Sequence, residues 1–395
     1  MIRRLTKYFS HSQYNLTAMP HDVFIVSAIR TPIGRGRAEG ALQGFHPVHL
    51  LAQTLDACVK QAGVDKALVE DVITGCVTPI GEQGACIGRV AALQAGFPIE
   101  TPGVQINRFC GSGQQAVHFA AQAIAAGDME IVIASGVEVM SRVPIGSDSS
   151  FSEEFKQTFP HPIVHQGWSA ELLAEKWGLT RHDLDGYAAQ SHARAHAAAT
   201  AGWTSPELMP IGGLTGDEGV RPSIDLAKMS TLPTVFKKDG VVTAGNASQI
   251  SDGAAALLLA SGETCDKLGL RKRARVMTRV VVGSDPALML DGPIEATHRA
   301  LAKAGLTIDQ IDAVEINEAF ASVVLAWAKA HGVSRLDRVN IQGGAIAHGH
   351  PLGATGAVLM TKLVNILERT GGRFGLQTMC EGFGMANATI IERTL

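Results

Sequence analysis

The sequence has 395 residues, a formal net charge of −3 and 46% hydrophobic residues, which is enough apolar material for a large buried core. These values argue against a disordered or fibrous chain, and the slightly acidic balance argues against a general nucleic-acid binder, which usually carries a basic excess. The length exceeds what a single core usually serves, so we expect several domains or a duplicated unit. The 43 glycines and the 5% of aromatic residues favour an α/β class with helices packed closely on a sheet.

The first 20 residues form an N-terminal extension that precedes the regular pattern. Arg3, Arg4 and Lys7 stand among serines and threonines, with no acidic residue before Asp22. This composition is typical of a mitochondrial transit peptide, whereas a start at Met19 is the alternative interpretation. We therefore expect a cytoplasmic protein, or one of the mitochondrial matrix if residues 1–19 are a transit peptide.

The six cysteines are scattered and contain no C-x-x-C pair, so the sequence predicts neither a disulfide framework nor a metal site. A reducing compartment follows from this usage. No stretch reaches the roughly 20 apolar residues of a membrane-spanning helix, so we expect no membrane span.

Strands and helices alternate along the chain. The pattern predicts strands at 23–28, 69–76 and 130–135 and helices at 47–62 and 113–126, which together imply a parallel sheet. The segment 62–74 returns as 304–316, and the segment 111–135 returns as 353–379. Two copies of one β/α unit, about 240 residues apart, therefore pack against each other.

Residues 142–250 do not fit the repeat. They hold an acid-rich stretch near 152–157, an amphipathic helical region from 169 to 199 and a loop rich in proline, glycine and charge at 209–222. We predict an extension at 1–20, an N-terminal half made of 21–141 and 251–271, a loop domain at 142–250 and a C-terminal half at 272–395.

Reactive side chains stand at corresponding strand-to-helix turns of the two copies. The first turn, N-R-F-C-G-S-G, holds Cys110, where a helix N-terminus would favour a thiolate. The equivalent turn holds His348 and His350, Cys380 follows a later strand, and Asn317 lies in N-E-A-F. Each feature alone is also consistent with a buried small residue, a surface histidine or a helix cap. Their convergence at the carboxyl ends of strands favours a ligand site.

These motifs resemble those of the thiolases, which make or cleave 3-ketoacyl-CoA. The resemblance covers the chain after His21 and includes the Cys110 motif, the G-N-A-S-x-x-x-D-G-A-A-A stretch at 245–256, N-E-A-F, the G-G-A-I-A-x-G-H-P-x-G stretch at 343–353 and the final cysteine motif. It implies two βαβαβαββ halves in a five-layered α/β/α/β/α sandwich with an inserted loop domain. It also implies an acyltransferase that cleaves 3-ketoacyl-CoA through an acyl-cysteine intermediate.

The resemblance assigns a role to each motif residue. Cys110 matches the nucleophile, His350 its activating base and Cys380 the acid/base cysteine. Asn317 matches the residue whose water forms one oxyanion hole with His350, and the amides of Cys110 and Gly382 match the other. Ser248 and Arg221 match coenzyme A contacts, although a turn serine and a surface arginine are the alternatives. Coenzyme A is a substrate here, and no cofactor or metal is expected.

Positions near the acyl end depart from the usual family pattern. The resemblance places Gln166, Met289, Phe320 and Phe383 around the acyl group. His348 stands where an aliphatic wall residue is usual. C-E-G-F-G-M replaces C-x-G-G-G, so Glu381 adds a charge that we expect to face water or a partner. The catalytic set is intact, and a degradative enzyme with a broad acyl pocket is expected.

Other readings stay open at this point. A biosynthetic acetyl-CoA C-acetyltransferase that forms acetoacetyl-CoA differs only in substrate and direction. A ketoacyl-carrier-protein synthase would use one cysteine and two histidines, and a non-catalytic lipid-binding relative would lose the reactive residues. The expected partners are acyl-CoA and CoA, with no nucleic acid, and the chain is expected to form a homodimer or homotetramer.

Overall fold

The structure is a computed structural model that describes residues 21–394. Its strands are β1 (Val23–Arg30), β2 (Gly34–Arg35), β3 (Asp71–Gly75), β4 (Gly103–Ile106), β5 (Ile131–Val139), β6 (Ser251–Ser261), β7 (Ala274–Gly283), β8 (Ala313–Ile316), β9 (Phe374–Glu381) and β10 (Met385–Arg393). Its α-helices are α1 (Pro47–Ala62), α2 (Ile87–Gln94), α3 (Ser112–Ala126), α4 (Glu153–Thr158), α5 (Gln166–Lys176), α6 (Arg181–Thr200), α7 (Leu226–Ser230), α8 (Gly262–Leu268), α9 (Gly292–Ala304), α10 (Ala321–Ala330), α11 (Ala345–His348) and α12 (Leu352–Thr370). Short 3-10 helices span Lys66–Leu68, Gly81–Gln83, Ser205–Glu207 and Ile308–Gln310.

The strands run in the order β4-β3-β5-β6-β1-β7-β10-β9-β8. In the first half, β3 is parallel to β4 and β5, and β6 lies antiparallel between β5 and β1. In the second half, β8 is parallel to β9, and β10 lies antiparallel between β9 and β7. The two halves join only through two residue pairs of β1 and β7, so each half is in effect its own sheet.

This matched topology confirms the repeat and the α/β fold class. One strand differs between the halves, because the counterpart of β4 is reduced to a single bridge from Val314 to Val339. The side chain of Asn340 explains the difference. Its amide accepts from the backbone N–H of Ile316 and donates to the Ile316 carbonyl, so a side chain takes the hydrogen bonds that a longer strand would have made.

Three apolar cores separate five layers. One core lies between α1, α2 and the first sheet, and another lies between the second sheet and α9 and α10. The middle core packs α3 and α12 between the two sheets. Both sheets therefore have helices on each face, which is why their strands read as nearly continuous apolar runs. The five-layered sandwich is confirmed.

The loop segment carries helices rather than strands of the main sheet. The helical region expected at 169–199 is two helices, because Gly178 adopts a left-handed φ of 57° after α5 and Thr180 starts α6 with a capping box. A buried ion pair of Arg30 on β1 with Glu207, at 2.8 Å, and with Asp217, at 2.7 Å, ties this segment to the first sheet. The domain boundaries predicted above remain a proposal.

None of the helices within residues 21–394 is long and apolar enough to cross a membrane. The extension at 1–20, with its expected targeting role, lies outside the described residues.

Candidate active site

Cys110 lies in a turn that local hydrogen bonds shape before α3 begins. Asn107 Oδ1 accepts from the Phe109 amide at 2.9 Å, and Ser112 Oγ accepts from the Arg108 amide at 2.8 Å and donates to the Phe109 carbonyl at 2.6 Å. Phe109 adopts a left-handed φ of 46°, which is costly for a large side chain. The turn leaves Cys110 only 4% exposed, at the amino end of the central helix.

The two central helices approach each other closely at this end. A Cβ at Gly113 would lie 2.7 Å from the Ala357 nitrogen and 2.8 Å from the Gly353 carbonyl oxygen, so only glycine fits. The glycine therefore brings the start of α3, which follows Cys110, against the start of α12, which follows His350. The sequence predicted this meeting of the two repeat turns.

Burial and, after it, the nearby Glu381 carboxyl raise the pKa of the Cys110 thiol to about 12, while Gln166 acts in the opposite direction. The helix end alone therefore does not make Cys110 a thiolate. Burial outweighs the helix dipole because the dipole contributes little compared with the loss of solvation of a charged sulfur. A neutral thiol needs a base to remove its proton.

His350 is prepared to be that base. Its Nδ1 lies 2.6 Å from Thr355 Oγ1, and that hydroxyl donates its own proton to the Pro351 carbonyl at 2.8 Å. Thr355 therefore accepts from Nδ1–H, and the Nε2 atom keeps its lone pair. Burial lowers the pKa of His350 to about 4, so the imidazole is neutral at physiological pH.

Asn317 stands beside the unprotonated nitrogen of His350. Its Nδ2 lies 3.4 Å from His350 Nε2, and the residue is fully buried at the end of β8. Its Oδ1 has no hydrogen-bond partner among residues 21–394. A buried amide oxygen of this kind is an acceptor that a ligand or a water molecule can satisfy.

Cys380 lies on β9 and is 1% exposed. Its pKa is raised well above the ordinary value, first by burial and then by the neighbouring Cys110, so the two sulfurs share one environment. The following turn also reaches the nucleophile, because a Cβ on Gly382 would lie 3.1 Å from the Phe109 ring. The structure thus gathers Cys110, Cys380 and Gly382, the residues for which the sequence predicted related roles.

His348 occupies a different environment from His350. Its Nδ1 lies 3.1 Å from the Gly349 carbonyl, and its Nε2 lies 3.2 Å from the ammonium of Lys362. Lys362 is buried and also pairs with Glu315 at 3.1 Å. Both nitrogens of His348 are occupied, so the residue anchors a buried polar cluster rather than acting as an aliphatic wall.

Phe383 belongs to a group of aromatic rings that we call the aromatic cluster, made of Phe109, Phe151, Phe155, Phe159 and Phe383. The Phe383 ring lies 5.7 Å from Phe109, 6.0 Å from Phe151 and 6.4 Å from Phe159. Within the described chain, residues 144–164 exchange hydrogen bonds only among themselves, so apolar contacts hold α4 over the two cysteine turns.

The other expected acyl-pocket residues lie at separate points. Gln166 is the first residue of α5, and its side-chain hydrogen bond with Cys110 lowers the pKa of that thiol. Phe320 packs edge-on to Phe236, with ring centres 6.1 Å apart, and Phe236 stacks on His165. Met289 is 4% exposed and adopts a left-handed φ of 26°. Gln166 and Phe383 thus adjoin the cysteine turns, and Met289 and Phe320 belong to the same apolar core as Cys380.

A cavity of about 330 Å³ opens in the loop domain and leads from the surface towards α11. Arg221, Lys228, Gly245, Gln249 and Ile346 contribute to its wall. Arg221 is exposed, and its backbone N–H donates to His192 Nδ1 at 3.2 Å. Ser248 is half-buried next to this wall, where its amide donates to the Ala319 carbonyl at 3.0 Å, but its side chain is not part of the wall.

Several functional neighbours were not found from the sequence. No sequence pattern marked Thr355 as functional, apart from its place in the first turn of α12, just after G-H-P. Three phenylalanines stand four residues apart in and around α4, at 151, 155 and 159, and this helical spacing of apolar residues lies within the acid-rich stretch. The residues described hold no group of three His, Cys, Asp or Glu side chains arranged for a metal ion.

Comparisons with known proteins agree with this architecture. The sequence model of the thiolase N-terminal domain matches residues 23–263, and that of the thiolase C-terminal domain matches 270–393. The chain is 47% identical over 392 residues to the steroid 3-ketoacyl-CoA thiolase of Mycobacterium tuberculosis, with 95% of each chain covered. It is 42% identical over 384 residues to a 3-ketoacyl-CoA thiolase of Vibrio cholerae, covering 94% of this chain and 99% of that one.

Two solved structures are also similar. Human mitochondrial 3-ketoacyl-CoA thiolase superimposes with a TM-score of 0.88 at 36% identity and covers 96% of this chain. The acetyl-CoA acetyltransferase of Bacillus anthracis gives the same TM-score, identity and coverage, and both solved chains are covered completely. Family domains at both ends, high identity and a shared fold all point to the same conclusion. The chain belongs to the thiolase family.

Proposed function

We propose that this chain is a thiolase that cleaves 3-ketoacyl-CoA with CoA, giving acetyl-CoA and an acyl-CoA shortened by two carbons. The observation that carries the proposal is the neutral His350, whose Nε2 carries a lone pair, with only the long 3.4 Å contact to Asn317 Nδ2, while Thr355 holds Nδ1–H. A buried thiol of raised pKa and a neutral imidazole base at the same helix ends are what a cysteine nucleophile requires.

In the first half-reaction, His350 accepts the proton of Cys110, and the sulfur attacks the 3-keto carbon of the substrate. The bond between carbons 2 and 3 then breaks, leaving the acyl group on Cys110 and the enolate of acetyl-CoA as leaving group. Cys380 donates its thiol proton to carbon 2 of that enolate. Two buried cysteines in one environment support this division of work.

In the second half-reaction, the thiol of a new CoA molecule attacks the acyl group on Cys110. Its proton passes to the Cys380 thiolate, and the protonated His350 returns its proton to the released Cys110 sulfur. The products are acyl-CoA and free Cys110. Oxygen charge develops in both steps, and we assign its stabilisation to a water held by Asn317 together with His350, and to the amides of Cys110 and Gly382. The unpartnered Asn317 Oδ1 supports the first assignment.

The substrate class follows from the acyl side of the site. We propose a degradative enzyme with a broad acyl pocket that also accepts acetoacetyl-CoA. Gln166 and Phe383 adjoin the cysteines, and we place Met289 and Phe320 further along the acyl path. Relatives named 3-ketoacyl-CoA thiolases, one of them for steroids, support this choice over the biosynthetic alternative.

Coenzyme A is proposed to enter along the cavity of about 330 Å³, with Arg221 near its adenine end and Ser248 near its pantetheine arm. Exposed Arg221 and Lys228 on this cavity support an anionic ligand. CoA is a substrate in this scheme, and we propose that the reaction needs no cofactor or metal.

We propose a homodimer or homotetramer, which light scattering can test. The edge strand β4 carries an exposed Val104, an arrangement that favours pairing with a second chain.

A cytoplasmic location is also proposed, because all six cysteines are free thiols. The mature N-terminus, read by mass spectrometry, would reveal a cleaved targeting peptide.

The function is tested by incubating the protein with CoA and either acetoacetyl-CoA or a longer 3-ketoacyl-CoA. We expect release of acetyl-CoA from both, and its loss in Cys110→Ala. Absence of acetyl-CoA from every 3-ketoacyl-CoA tried, with correctly folded protein, would reject the proposal.

A further inference from the structure

Glu381 ends β9 next to Cys380, and the proposed reaction gives it no part. The residue is fully buried, and neither of its carboxyl oxygens has a hydrogen-bond partner within residues 21–394. The carboxyl packs directly on the nucleophile turn, because a Cβ on Gly111 would lie 1.9 Å from Glu381 Oε1. The sequence expectation that this charge faces water or a partner is therefore wrong.

The repeat supplies an internal comparison. Ile133 on β5 and Leu376 on β9 hold equivalent registers in their sheets. Glu138 stands five residues after Ile133, and Glu381 stands five residues after Leu376. The two glutamates therefore occupy equivalent positions in the two halves. The Glu138 carboxylate accepts from the Gly353 amide at 2.8 Å, the Val77 amide at 2.9 Å and Gln83 at 2.7 Å.

The corresponding contact is missing at the nucleophile. Gly111 is the repeat equivalent of Gly353, but its amide donates to the Arg108 carbonyl at 3.1 Å instead of to Glu381. One copy of the glutamate is thus satisfied by three elements, whereas the copy beside Cys110 is not. A carboxylate in an unpartnered buried position is costly, so the neutral acid is favoured there.

We propose that Glu381 is a positioning residue that must be uncharged for Cys110 to ionise, so that the two groups carry one negative charge between them. A thiolate on Cys110 and a carboxylate on Glu381 would place like charges side by side in a poorly solvated site. Such a pair ionises in two separate steps that belong to both groups. The proposal rests on the proposed function and adds a control of its nucleophile.

The surroundings of Glu381 fit this role. Arg108 and Cys110 face it from the nucleophile turn, Cys380 adjoins it on β9, and β10 presents the amide of Asn387. Burial, partly offset by Arg108, raises the pKa of Glu381 to about 8. The carboxyl is neutral below this pH and charged above it, so Cys110 should become harder to ionise as pH increases through about 8.

The test uses the full-length enzyme and the isosteric, uncharged variant Glu381→Gln. Alkylation of Cys110 by iodoacetamide should match wild type at pH 7 and exceed it by about tenfold at pH 9, which corresponds to about one pKa unit. Thiolysis by wild type should decline above about pH 8, and the variant should lack this decline. Glu392 lies on β10 and forms ion pairs with Arg275 and Arg373. Glu392→Gln is therefore the control and should behave as wild type.

Two further measurements keep the proposal open to refutation if Glu381→Gln folds poorly. Arg108→Met removes the facing cation, which lowers the pKa of Glu381, and should therefore move the alkaline decline of thiolysis to higher pH. Infrared difference spectra should show the band of a protonated carboxylic acid at pH 7 that disappears above pH 8. Identical alkylation profiles for wild type and Glu381→Gln, or no loss of a protonated carboxylic acid band between pH 7 and pH 9, would overturn the proposal. Alkylation needs no substrate, so this failure is distinct from a failure of the thiolase function.

Discussion

Thr355 accepts a hydrogen bond from Nδ1 of His350 at 2.6 Å while it donates to the Pro351 carbonyl one turn earlier on α12. The helix thus determines which imidazole nitrogen carries the proton. The other nitrogen, Nε2, carries the lone pair and faces Asn317, on the side where the proposed chemistry needs a base.

Thr355→Val should therefore weaken the base without removing it. The valine keeps the shape of threonine but loses the acceptor, so the imidazole can take the wrong tautomer. We expect acylation of Cys110 to slow by on the order of 10²-fold, near the lower end of what a general base contributes. Single-turnover acylation measures this. Thr355→Ser is the matched control and should keep most of the rate; an equal loss in both variants would point to packing instead.

The two site cysteines should separate into two half-reactions. Cys380→Ser should still accept an acyl group on Cys110 but lose exchange of the acetyl methyl protons by roughly 10²–10⁴-fold, because a hydroxyl is a far weaker base for a carbon acid. Deuterium incorporation into acetyl-CoA reports the exchange. If acyl transfer and exchange fell together, Cys380 would have a structural role.

Asn317→Ala should lose the side chain that we assign to one oxyanion hole. We expect a fall on the order of 10²-fold in kcat/KM for thiolysis, as for removal of one preorganised donor. Asn317→Asp keeps the shape and is the comparison variant; because it adds a charge where negative charge develops, it should not recover the rate. Full activity in Asn317→Ala would reject the assignment.

The neighbouring histidines should differ sharply. His350→Ala should abolish acylation, whereas His348→Ala should keep most of the acylation rate, because both nitrogens of His348 are already engaged by Gly349 and Lys362. Acylation rate and thermal stability measured together distinguish the cases. We expect His348→Ala to affect stability more than chemistry, and the reverse pattern would transfer the catalytic role to His348.

The acid side of the pH profile follows from the same histidine. An imidazole is a base only when neutral, and burial lowers the pKa of His350 to about 4. The rate of acyl transfer to Cys110 should therefore show no inflection near pH 6.5 and stay level from pH 7 down to about pH 5. A fall of half or more by pH 6.5 would show that His350 titrates as an ordinary histidine.

The aromatic cluster should set the preference for long acyl groups. Phe155→Ala should reduce kcat/KM for twelve-carbon substrates by roughly tenfold or more and leave acetoacetyl-CoA little changed, since aromatic and apolar contacts of this size contribute about 1–3 kcal/mol. A thiolysis series from four to twelve carbons measures it. Lys156→Ala on the same helix is the control and should behave as wild type.

The same series in wild type tests the broad acyl pocket. A hundredfold drop in kcat/KM beyond four carbons would reject the broad pocket and favour an acetoacetyl-CoA thiolase.

The sequence predicted the repeat, the sandwich and the positions of the reactive turns, because each is expressed by local pattern and motif order. α1 has the bounds predicted for it, Pro47–Ala62. The reduced third strand of the second half was not predictable, because it depends on Asn340 meeting Ile316 across the fold.

Charge states were harder to predict than positions. The sequence put Cys110 at a helix end and so suggested a thiolate, but burial, which depends on both halves, dominates its pKa. Glu381 was likewise expected to face water or a partner, because the motif shows a charge but not the contacts that bury it. Tertiary contacts decide whether a titratable group keeps its water, and a motif contains no record of those contacts.

The acyl-enzyme is the central claim, and mass spectrometry tests it most directly. The protein is mixed with acetyl-CoA, quenched in acid and digested, and each cysteine peptide is weighed. We predict one added acetyl group on the peptide that contains Cys110, absent in Cys110→Ala and present in Cys380→Ser. An acetyl group found only on Cys380, or on no cysteine of a preparation that turns over substrate, would contradict the mechanism.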